Sequence, residues 1–193
     1  MKPSWQLRIP AVLLMLWTGY HVVFSRTAQQ ATDMFFENIF AGIDLGIHEL
    51  GHFVTLWLPG VLCALAGTAA QCIAPLVAGF GFVRKGIFFE ACFCLWWCGE
   101  NLICSSYYIA DAKTMNLPLV SPFGALPKHD WNEILRAVGL LRWDTTLAFL
   151  VRACGTLLVV GGIALGIAVL WAMREQALGR RAPGLLGDLM NRE

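Results

Sequence analysis

Long apolar runs dominate this sequence, and they restrict its fold more than any motif does. A helix needs about 20 mostly apolar residues to cross the hydrocarbon of a bilayer. Residues 61–83, 86–110 and 147–173 are runs of that kind, residues 9–24 form a shorter one, and residues 34–58 a less apolar one. With 58% hydrophobic and 14% charged residues, the chain also lies outside the range of ordinary soluble domains. The expected fold is therefore all-α: a polytopic membrane helix bundle of about five spans.

Only short polar breaks divide the runs: residues 26–33, Pro59-Gly60, and Arg84-Lys85-Gly86. They read as hairpin turns rather than domain boundaries. Residues 1–175 are thus expected to form one integral membrane domain, with its chemistry concentrated in about 34–146, followed by a polar tail over 176–193. The first run follows Lys2 and Arg8 and resembles a signal peptide in outline, but no small-x-small cleavage site follows, so it reads as a retained span.

The one sizeable polar loop runs from residue 111 to 143 and is stiffened by Pro118, Pro122 and Pro127. Within it, Asp130-Trp131-Asn132-Glu133 reads as a capping box, with Asp130 as the cap. Ile134, Leu135, Val138 and Leu141 then recur at helical spacing. The pattern predicts a short amphipathic helix before the last span, with Trp131 and Trp143 as interface anchors.

A net charge of +1 and the lack of a basic, aromatic-rich stripe exclude nucleic acid as the expected partner. All seven cysteines fall within apolar runs and none forms a CxxC pair, so they read as packing residues.

The residues that carry chemistry are His48-Glu49-Leu50-Gly51-His52. Two histidines four apart share one helix face, so both imidazoles can reach a single metal ion. Glu49 is turned about 100° from His48, near enough to act on water at the metal without being a ligand. This pattern suits a zinc hydrolase: the metal acidifies water and the carboxylate takes its proton. Asp44, one turn earlier, is positioned to orient His48 through its second nitrogen. A chance match is the blander reading, but a glutamate and two histidines inside an apolar segment are costly to bury unless paired or coordinated.

An open zinc site takes three protein ligands. His129 is the expected third, because Asp130 already has a capping task; Asp130 and Asp111 are the alternatives. Gln71, Glu100 and Asn101 are polar groups inside apolar runs, suited either to lining the site or to interhelical hydrogen bonding.

These features, together with residues 67–75, 99–111 and 129–132, resemble the site-2 protease class of intramembrane metalloproteases, and more closely a group of uncharacterised bacterial membrane proteins. The resemblance spans most of residues 41–146. It implies that His48 and His52 bind Zn2+ with Glu49 as general base, and that a later membrane segment supplies an aspartate ligand. The Asp-Gly signature of that segment is absent here, so Asp130 or Asp111 would have to replace it. The resemblance also implies hydrolysis of a membrane-protein substrate and a bacterial inner-membrane location.

Overall fold

The computed structural model describes residues 5–25, 41–119 and 128–180, and all regular structure among them is helical. A 3-10 turn, Trp5–Arg8, leads into α1 (Ile9–Phe24). There follow α2 (Ala41–Val54), α3 (Gly60–Arg84), α4 (Phe88–Asp111) and α5 (Asp130–Ala137). A second 3-10 turn, Leu141–Trp143, opens α6 (Asp144–Ala177). Pro122, Pro127, residues 34–40 of the expected second span and the tail beyond residue 180 lie outside the described residues.

Three stretches are long and apolar enough to cross a membrane: Trp5–Phe24, Gly60–Arg84 and Leu141–Ala177. Only 22–33% of the most apolar part of each is buried, so most of their hydrocarbon faces outward, the reverse of a bundle built for water. The protein is thus a membrane protein by the length and composition of its helices. The other two expected spans differ in kind. In its described part α2 has 14 residues, and α4, although 24 residues long, carries Glu90, Glu100 and Asn101.

That polar content follows from where α4 lies. It occupies the centre of the bundle, packed on α6, α3 and α1, and Glu100 and Asn101 are 2% and 1% exposed. Helix directions follow from the contacts. Arg8 pairs with Glu90 at one end, and the Tyr107 hydroxyl donates to the Ser25 carbonyl (3.0 Å) at the other, so α1 and α4 run parallel. Arg152 of α6 also donates to the carbonyls of Val23 and Ser25, satisfying the otherwise open C-terminus of α1. α3 and α6 run the opposite way, and α2 lies antiparallel against α3.

Lipid tails are as apolar as leucine, so helix association in a membrane depends on close backbone approach through small residues. The α4–α6 contact, the most extensive in the fold, is of this type. A Cβ on Gly99 would sit 2.6 Å from the Gly155 carbonyl oxygen, and one on Gly155 2.7 Å from that of Gly99. Gly162 lies equally close to the backbone of Trp96. Around this seam Met15, Val22, Trp96, Ile103 and Val159 form the core.

The expected amphipathic helix is α5. Ile134 and Leu135 are buried, and Leu135 joins Ile109, Ala112 and Ala148 in a second apolar cluster that seats α5 across the ends of α3 and α4. Its N-cap is His129 rather than Asp130: the His129 side chain accepts the Asn132 backbone N–H (3.2 Å), and the helix begins one residue earlier than the capping box implied.

The glycine seam yields a comparison. Gly155→Leu forces backbone apart and is expected to lower the thermal midpoint in detergent, at a cost of about 1–3 kcal/mol. Gly161→Leu, at a position with nothing within 4 Å of a new Cβ, should shift it by no more than about 0.5 kcal/mol. Equal effects on thermal unfolding would refute the close-packing account.

Candidate metal centre

His48 and His52 lie on the face of α2 turned toward α3, one turn apart, with ring centroids 4.6 Å from each other. Their close seating depends on glycine. A Cβ on Gly51 would collide with the Ala66 carbonyl and lie 2.8 Å from the Ala70 Cβ, so only a bare backbone lets α2 pack this tightly. On the opposing helix, a Cβ on Gly67 would fall 2.6 Å from Nε2 of both histidines. Gly67 therefore leaves open the space that the two imidazoles face.

The third group to reach that space is Asp130, the first residue of α5. Its Oδ2 lies 3.1 Å from Nε2 of His48 and 3.1 Å from Nε2 of His52, and those two nitrogens are 3.0 Å apart. Among the described residues these three side chains form the one group of histidine, cysteine or acidic residues whose donor atoms converge closely enough to hold a metal ion.

The partners on the far side of each ring settle its tautomer. Nδ1 of His48 is 2.9 Å from the Gln71 side-chain oxygen, and Nδ1 of His52 is 2.8 Å from the Cys63 carbonyl. Both oxygens accept, so both Nδ1 atoms carry hydrogen and each neutral ring presents its Nε2 lone pair to the centre. Gln71 is held in turn by donating to the Ser105 hydroxyl (2.9 Å). The Asp130 carboxylate brings a third lone-pair donor toward the two Nε2 atoms.

Three electron-pair donors thus meet within 3.1 Å. Such a cluster is repulsive unless a positive charge sits among them, and a proton can bridge only one pair at a time, whereas one metal ion accepts all three. Three ligands about 2.0–2.1 Å from a tetrahedral ion are spaced by about 3.3 Å, close to the separations here. The residues fit a metal ion. No family model, curated protein or solved structure matches the chain.

His129, expected as the third ligand, is not in this group. Its Nδ1 caps α5 and its Nε2 lies 3.4 Å from Oδ2 of Asp111, which places the other alternative, Asp111, away from the centre as well. The two neighbours have exchanged the roles inferred for them: His129 caps and Asp130 converges on the histidine pair. Asp44 likewise does not orient His48. Its Oδ1 accepts from Trp97 Nε1 (2.8 Å) and Asn101 Nδ2 (3.3 Å), and it meets Glu100, so this polar layer joins α2 to α4 below the site. Gln71 does the orienting instead. Its amide within an apolar run was the sequence signal for it.

A cavity of about 370 Å³ opens over the centre. Glu49 lines it, half-buried, beside His48, His52 and Asp130, and Thr68, Ser105 and Tyr108 supply hydroxyls to its wall. Lys128 and Glu133 add opposite charges to the same cavity.

Two substitutions test this geometry through metal uptake by purified protein. Gly67→Ala places a methyl group where the two Nε2 atoms face and should abolish tight binding while the chain stays folded. Gln71→Ala frees the His48 ring and should weaken affinity about 10- to 100-fold without removing it. Full affinity in Gly67→Ala would show that the histidines do not converge there.

Proposed function

We propose that this protein is a zinc-dependent intramembrane peptidase, hydrolysing a peptide bond in or next to a membrane segment of a protein substrate. The observation that carries this reading is the joint placement of three converging donors and a separate carboxylate, Glu49, around one cavity. Two imidazoles and one carboxylate match the ligand types of catalytic zinc sites that keep a position open. The same set also serves iron(II), and a general base beside the triad favours the hydrolytic ion.

A zinc ion bound there would supply Lewis acidity, lowering the pKa of water toward 7 and polarising the scissile carbonyl. The chain's own residues do the rest. His48, His52 and Asp130 hold the ion, with Gln71 and the Cys63 carbonyl fixing the rings. Glu49 takes the proton of the attacking water and returns it to the departing amine. The hydroxyls of Thr68, Ser105 and Tyr108, which line the cavity, would bind the backbone of an extended substrate. Under this proposal α4 and α2, the latter with the residues preceding it, also lie within the membrane, giving five spans, and the membrane is the bacterial inner membrane.

A lipid amide or ester hydrolase would use the same metal and base. The hydroxyls of Thr68, Ser105 and Tyr108 in an otherwise largely apolar wall support the peptide reading over it, since they offer partners to a peptide backbone.

The test pairs metal analysis with turnover. Wild type in detergent should carry stoichiometric zinc and cleave a quenched-fluorescent transmembrane peptide, whereas Glu49→Gln should retain zinc and lose cleavage by several orders of magnitude. Zinc-loaded wild type that cleaves a lipid amide but no peptide would overturn the substrate class. Cleavage undiminished in Glu49→Gln would overturn the assignment of the base.

A further inference from the structure

The ligand Asp130 differs from the histidines in how it is held. His48 and His52 sit inside one helix packed against α3, whereas Asp130 opens α5, an eight-residue helix joined to α4 by a long connection. A metal site tolerates only about 0.5 Å of misplacement in its ligands, so something must fix the start of α5.

The residues on either side of Asp130 supply that anchorage. Because Nδ1 of His129 accepts the Asn132 N–H, the ring hydrogen is on Nε2, a buried atom that has no aligned hydrogen-bond partner and lies 3.4 Å from Oδ2 of Asp111. Both side chains are deeply buried, His129 at 2% and Asp111 at 8% exposed. Asp111, the last residue of α4, is itself immobilised by the Thr114 hydroxyl (2.5 Å) and the backbone N–H groups of Asn116 and Leu117 (2.9 Å each). Asn132 adds a second tie by donating to the Ala112 carbonyl (2.6 Å). The end of α4 and the start of α5 are thus joined by buried polar contacts on both sides of Asp130.

We propose that Asp111 and His129 are positioning residues for the metal centre: a latch that holds the first turn of α5 against α4 so that the Asp130 carboxylate meets His48 and His52. This rests on reading the centre as a metal site. Neither residue touches the ion. They act through Asp130 alone, and their loss should leave a two-histidine site with a loosely presented third ligand.

The experiment measures zinc and cobalt affinity of the purified full-length protein in detergent, by competition with a chelator, together with the visible spectrum of the cobalt form. Asp111→Asn keeps an acceptor for the loop N–H groups but loses the charge facing His129. His129→Asn can still cap α5 but cannot reach Asp111. Each should weaken affinity about 10- to 100-fold and alter the cobalt spectrum, and the double variant should be no weaker than the weaker single one. Placed on Asp130→Ala, neither substitution should lower affinity further, because the residue they act through is gone. Unchanged affinity in both single variants overturns the inference. So does an equal further loss on Asp130→Ala, which would mark general loosening of the bundle. A wild type that takes up neither metal overturns the metal-site reading itself, and so is distinct from both.

Discussion

The mutual repulsion of three electron pairs sets the terms for this structure. Nε2 of His48, Nε2 of His52 and Oδ2 of Asp130 lie 3.0–3.1 Å apart, with Gln71 and the Cys63 carbonyl taking the ring hydrogens. Such an arrangement persists only where the surrounding helices over-determine it and a cation offsets it. The surrounding features serve that condition. Gly51 brings α2 and α3 into backbone contact, Gly67 leaves room for the two imidazoles, the apolar cluster around Leu135 seats α5, and the α4–α6 glycine seam provides the base on which α3 and α5 rest.

Below the centre a second polar layer, Asp44 with Trp97, Glu100 and Asn101, joins α2 to α4. Polar side chains buried in a membrane bundle are costly unless they bond to one another, and these do. Their contribution is to the register of α2. Held at Asp44 by α4 and at His48 by Gln71 of α3, α2 cannot slide or rotate without breaking a buried hydrogen bond, and that keeps both histidines turned toward Gly67.

What was legible in the sequence divides by range. The His48–His52 pair is an i, i+4 relation, fixed by helix geometry within one segment, and it stands as read. The apolar runs that became α1, α3 and α6 are similarly local. The third ligand was not local. His129 and Asp130 are adjacent, both can cap a helix and both can bind a metal, so a shift of one residue in the start of α5 exchanges their roles. At that start the buried His129 ring faces Asp111, at the end of α4, a contact between residues well separated in the chain. Asp44 was misassigned for a related reason: sharing a helix face with His48 does not place it at Nδ1, and the group that meets that nitrogen comes from α3. Gly67 was visible only as part of a run of small residues, since the collision that requires glycine there involves a different helix.

Position along the helices links the site to its proposed reaction. At 1.5 Å per residue, Gly67 lies about 10 Å from the start of α3 at Gly60, and Ser105 about 9 Å from the end of α4 at Asp111. Each lies in the outer third of its helix, so the centre sits toward one end of the bundle rather than at its middle. α5 covers that end, with Trp131 packed beneath it and lining the cavity. A peptide bond within an intact substrate helix is closed by its own hydrogen bonds, and unwinding costs less near a helix end, where the terminal groups lack helical partners. A centre at this level with hydroxyls in its wall is therefore better matched to the frayed end of a transmembrane segment than to its middle.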